Sequence, residues 1–67
     1  MFFTTADITS ETSISDIIQF AEEHNCKLTS AKRNSTGNYT CDFSSSSFDC
    51  LLELADQLGK TEKDIRK

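Results

Sequence analysis

Residues 48–58, Phe-Asp-Cys-Leu-Leu-Glu-Leu-Ala-Asp-Gln-Leu, constrain this chain more than any other stretch. Phe48, Leu51, Leu52, Ala55 and Leu58 recur at i, i+3, i+4, i+7 and i+10, one stripe of an amphipathic α-helix. Ser46 or Ser47 supplies an N-cap, and Ser46 with Asp49 has the S-x-x-D form of a capping box. Gly59 follows the last apolar residue, where a left-handed stop is expected. An apolar stripe needs a surface to cover, so the rest of the chain must build a layer beneath it.

Strand patterns supply that layer. Phe2 to Ile8 alternates as an opening strand, Phe2, Thr4, Ala6 and Ile8 on one face and Phe3, Thr5 and Asp7 on the other. Ser13, with Asp16 three residues on, caps a second helix whose apolar stripe is Ile14, Ile17, Ile18 and Ala21, widened by Phe20. Asn25 is its left-handed stop. Cys26 to Arg33 reads as a strand, 34–38 as a turn, and Tyr39, Cys41 and Phe43 as the inner face of a third strand. Pairing Leu28 with Phe43 buries Cys26 and Leu28, whereas a slip of one residue buries Ala31 instead; apolar area favours the first. Thr61 and Asp64 offer a third capping box, so residues 59–67 form either an extra helical turn or a frayed tail.

The expected fold class is therefore α+β: a β-α-β-β-α two-layer sandwich, one domain over residues 1–67. Its three-stranded sheet takes the order 1-3-2 with both helices on one face. That topology resembles a ferredoxin-like fold lacking its last strand. The expected core is Ile14, Ile17, Ile18, Ala21, Leu28, Cys41, Phe43, Phe48, Leu51, Leu52, Ala55 and Leu58.

Sixty-seven residues leave a net stability of only a few kcal/mol, about 1.5 kcal/mol of conformational entropy opposing each ordered residue. So small a margin favours a binding role over a strained catalytic pocket. Three cysteines without CxxC spacing point to reduced thiols and a cytoplasmic setting. No leader-like or membrane-spanning apolar run is present. The net charge of −4 is segregated: 1–25 hold five acids and no base, 26–33 three bases and no acid, 34–58 four acids and no base, and 59–67 four bases and two acids.

Candidate chemistry is thin. His24, Cys26, Cys41 and Cys50 lie on separate elements without the paired spacing of a zinc site, and no cofactor is expected. The carboxylates fall on helix caps and outer faces, and the only glycines, Gly37 and Gly59, build no phosphate loop. An overall acidic chain without Trp argues against nucleic acid.

The first strand is the distinctive feature. Phe2, Phe3, Thr4 and Thr5 lie on an edge where the full split fold would place a fourth strand, and no charge before Asp7 discourages pairing. This suggests docking to a second copy, with Phe3 at the contact; the alternative is a strand covered by the C-terminal tail. The expected function is a non-enzymatic protein-binding module, a homodimer with an unidentified protein partner. Its small, acidic, proline-free profile is similar to that of many phage-encoded proteins that bind and inhibit a host factor. The other expectation is a sponge or sensor for an anionic metabolite or nucleotide, its site at a dimer interface lined by Phe3, Tyr39, Lys27, Lys32 and Arg33.

Overall fold

The computed structural model describes residues 1–67. The chain runs β1 (Phe2–Ile8), α1 (Ile14–Glu23), β2 (Lys27–Arg33), β3 (Tyr39–Ser45) and α2 (Phe48–Gln57), then one 3₁₀ turn at Glu62–Asp64. The strands form a single antiparallel sheet in the order β1-β3-β2, the α+β arrangement expected from the sequence. α1 packs against β2, and α2 against β1 and β3.

Local chemistry explains the helix ends. The Ser13 hydroxyl caps α1 by accepting from the Asp16 N–H, and Ser47, rather than Ser46, caps α2 by accepting from the Cys50 N–H. Both helices stop in a Schellman motif. Asn25 (φ 56°) ends α1, with Cys26 N–H returning to the Ala21 carbonyl at 2.8 Å. Gly59 (φ 75°) ends α2, with Lys60 N–H reaching the Ala55 carbonyl at 2.9 Å.

The core between sheet and helices holds Ile17, Ala21, Cys26, Cys41, Phe43, Leu51 and Leu54, with Phe2, Phe20, Leu28 and Leu58 packed around it. Phe43 takes Phe20 edge-on at 6.4 Å, and Phe2 takes Phe48 edge-on at 5.4 Å. Three expected core positions differ. Ile14 is 37% exposed and Ile18 44% exposed. Ile18 lies about 100° around α1 from Ile17, so once Ile17 and Ala21 seat on β2 it points off the flank away from α2, with Ile14 one turn before it. On α2, Leu52 is only half-buried and Leu54 is fully buried. The helix is turned so that Leu51, Leu54 and Ala55 face the sheet, which leaves Leu52 on its side.

The hairpin resolves its register with a bulge. Leu28 faces Phe43 and Ala31 faces Cys41, because the pairing shifts between Leu28 and Ser30. The extra residue, Thr29, bonds through its hydroxyl to the Asp42 carbonyl at 3.1 Å. One inserted residue thus turns both Leu28 and Ala31 inward, where a regular ladder allows only one of them. In the turn, Asn34 Oδ1 accepts from the Thr36 and Asn38 N–H groups at 3.0 and 3.1 Å. Gly37 adopts φ +86°, open only at cost to a residue with a side chain.

The tail is ordered and returns to β1. Thr61 N–H bonds the Asp64 carboxylate at 2.9 Å to begin the 3₁₀ turn, and Ile65 packs on the core. Arg66 then bridges Phe3 antiparallel, with Phe3 N–H donating to the Arg66 carbonyl at 2.7 Å and Arg66 N–H to the Phe3 carbonyl at 2.8 Å. The tail therefore stands where a fourth strand would lie, reduced to one residue pair.

Candidate functional site

The bridge to Arg66 corrects the expectation of a free β1 edge. Of the four residues placed there, Phe2 and Thr4 face the helix layer, and Thr4 is fully buried with its hydroxyl donating to the Asp64 carbonyl at 3.1 Å. Phe3 and Thr5 face the side without helices. Phe3 spends both main-chain groups on Arg66, so by the alternation of an antiparallel ladder Thr5 and Asp7 are the next whose amides and carbonyls point outward. The sequence signal for this cover was present in Ile65 and the Thr61/Asp64 box, but a single apolar residue gives no period to extend a strand from.

The helix-free face carries rows of residues set by the register: Phe3–Ser44–Lys27, Thr5–Asp42–Ser30 and Asp7–Thr40–Lys32. Hydrogen bonds knit it together. Arg66 Nη2 donates to the Thr5 hydroxyl at 3.1 Å, which donates to Asp42 Oδ1 at 2.6 Å. Asn34 Nδ2 donates to the Thr40 hydroxyl at 3.0 Å, which donates to Asp7 Oδ1 at 3.1 Å. Both carboxylates on this face are thus engaged by the protein itself.

The residues proposed to line an anion site do not converge within one chain. Tyr39 pairs with Ile8 at the far end of β1 from Phe3, about 17 Å away at strand rise, and is half-buried against the core on the opposite face. Lys27 and Lys32 lie on the helix-free face, while Arg33, opposite Tyr39, lies on the helix side. A groove of about 270 Å³ does exist between the helices, over the end of β1. It is lined by Ile8, Ile17, Phe20 and Leu58, and its one charged group is Asp16, the wrong sign for an anion.

The titratable groups are isolated. His24 Nδ1–H donates to the Phe20 carbonyl at 2.9 Å, and the imidazole lies tilted at 58° to the Phe20 ring with centroids 4.7 Å apart. No three His, Cys, Asp or Glu side chains come together to hold a metal ion. All three cysteines are free thiols. Burial pushes the Cys41 thiol up, helped by the nearby charges of Asp42 and Asp7. Burial also raises Cys26, against a hydrogen bond with Ser45 that lowers it.

The other sheet edge is open. β2 pairs with β3 alone. Asn34 N–H bonds the Asn38 carbonyl at 2.8 Å, which sets the phase: Lys32 and Ser30 bond to β3, and the amides and carbonyls of Ala31 and Arg33 point outward. The Asp16 and Phe20 side of α1 borders the groove toward α2, so the exposed Ile14 and Ile18 lie on the other flank, beside this β2 edge. Neither residue of that pair was expected at the surface.

No protein-family model, curated protein or solved structure matches this chain. No helix is long and apolar enough to cross a membrane.

Proposed function

We propose that this protein is a non-enzymatic binding module acting by direct contact with another protein. The observation that carries the reading is the exposed Ile14 and Ile18 pair beside a sheet edge with outward-pointing amides. A chain with so few apolar residues to spare leaves two of its isoleucines 37% and 44% exposed, which forgoes roughly two-fifths of what each gains on full burial, about 1.5–3 kcal/mol. A partner that covers them recovers part of that. The buried free thiols Cys26 and Cys41 suit a reducing, cytoplasmic setting.

The inhibitory form of the reading, similar to small phage-encoded inhibitors, has the module occupy a surface that its partner uses elsewhere. A homodimer joined along β1 is a narrower form, weakened because Phe3 already exchanges both bonds with Arg66. The anionic-ligand alternative loses ground because its residues lie on two faces and at two ends of the sheet.

The test is size fractionation of a native lysate, followed by reconstitution from purified components. A complex of fixed stoichiometry rebuilt from two purified proteins supports the reading. A chain that migrates alone at its own mass, and binds nothing on reconstitution, overturns it.

A further inference from the structure

Three features of the β2 edge describe what fits it. The first is backbone: Ala31 and Arg33 present N–H and C=O groups outward, the template for an added strand. The second is charge. Lys27 and Lys32 project to the helix-free side, Arg33 closes the end, and β2 carries no acid. The third is apolar cover, since Ile14 and Ile18 stand over the helix side of the same edge.

We propose that the partner adds a fourth strand along β2, through a segment that alternates acidic and apolar residues. The inference rests on the protein-binding reading above. An added strand sends successive side chains to opposite faces. Those on the helix-free side meet Lys32, with Lys27 on the same face beyond the bulge, and are acidic; those on the helix side meet Ile14 and Ile18 and are apolar. The bulge at Thr29 bends the strand, so regular pairing spans Ser30 to Arg33, about 10 Å. A second copy of this chain is not the occupant, because β2 against β2 sets lysines and arginine beside like charges. The same charges that keep two copies apart select an acidic strand.

The probe is the capped hexapeptide Asp-Val-Asp-Val-Asp-Val, with Lys-Val and Asp-Ser alternating hexapeptides as controls. Backbone amide shifts and hydrogen exchange are read on the full chain. The expected result is shift changes along Ser30–Arg33 and at Ile14 and Ile18, with slowed exchange at Ala31 and Arg33. Lys32→Glu and Ile18→Glu, both at exposed positions, each weaken binding by about tenfold. Both controls bind weakly. The proposal is overturned by shifts centred on Phe3–Asp7 or on the groove at Phe20 and Leu58, by equal binding of the lysine peptide, or by no binding at millimolar peptide. It is also overturned by a doubling of mass with β2 at the contact. The same variants separate this inference from the broader reading. A reconstituted partner complex indifferent to both Lys32→Glu and Ile18→Glu removes the strand-addition model and leaves protein binding standing. Peptide binding at β2 without any protein partner does the reverse.

Discussion

Leu54→Ala, Leu51→Ala and Leu52→Ala together test which way α2 faces. Leu51 and Leu54 are both 0% exposed, and Leu52 is half-buried. Truncating a fully buried leucine costs about 3–5 kcal/mol, because the lost transfer energy is joined by a cavity that the neighbours only partly close. Here the neighbours are Phe43 and Ile17, themselves fully buried and with little room to move. A chain this short has a few kcal/mol in total. Leu51→Ala and Leu54→Ala are therefore expected to lower Tm by about 12 °C or more, or to leave the chain unfolded at room temperature. Leu52 gives up roughly half its burial, about 1 kcal/mol, or about 4–8 °C. Urea titration followed by circular dichroism reads all three, with an unchanged slope as the sign that the unfolded state is not altered. If Leu52→Ala costs as much as Leu54→Ala, the two leucines are equally buried, and both the orientation described for α2 and the packing argument fail.

Arg66→Pro removes the N–H that bonds the Phe3 carbonyl at 2.8 Å and should cost about 0.5–1.5 kcal/mol, since the freed carbonyl is near water. Hydrogen exchange at the Phe3 amide should rise with it; unchanged protection there would mean that the tail does not hold β1. Cys41→Ser should destabilise more than Cys26→Ser. Cys26 Sγ already donates to the His24 carbonyl at 3.3 Å, whereas Cys41 reaches Tyr39 only at 3.8 Å, and a hydroxyl on a shorter bond falls farther short. Equal losses in a urea titration would remove that distinction. The raised Cys41 and Cys26 thiols also set an alkaline limit. Above about pH 8.5 the unfolded chain releases thiol protons that the folded chain retains, so their contribution, complete below that pH, is lost as pH climbs toward the folded-state values. Melting curves from pH 7 to 10 should fall, and fall less steeply in Cys41→Ala; an identical slope in that variant would exclude the thiol as a cause.

The elements were legible because each is written in local chemistry. Ser13, Asn25 and Gly59 mark helix ends whatever lies around them, and strand alternation in Tyr39, Cys41 and Phe43 has one sensible inner face. What was not legible depends on which flank of a helix meets a neighbour. Ile14 and Ile18 carry the same apolar signal as Ile17, and only the placement of α1 over β2, with α2 on one side and nothing on the other, distinguishes them. Leu52 and Leu54 are separated by the same geometry. The bulge escaped for a related reason: two registers each left one apolar residue outside, and an inserted Thr29 brings both in at the cost of one irregular pair.

The reversal of the two sheet edges follows from the tail. By composition, β1 is the neutral, pairing-prone edge and β2 the charged, protected one. In the folded chain the neutral edge is closed at Phe3 by Arg66 and pinned further by Arg66 on Thr5. A lysine-bearing edge resists strands in general because an added strand without acids crowds the lysines and leaves their charge unpaired. It does not resist an acidic one. Protection against self-pairing and selectivity for an acidic partner are then one property of the lysines on the helix-free face, Lys27 and Lys32. Ile14 and Ile18 supply the apolar contact that charge alone would lack, since exposed ion pairs contribute about 0–1 kcal/mol each. Charge and apolar cover are therefore read apart: Lys32→Glu should alter which peptides bind, whereas Ile18→Ser, which removes apolar cover without adding charge, should weaken all of them.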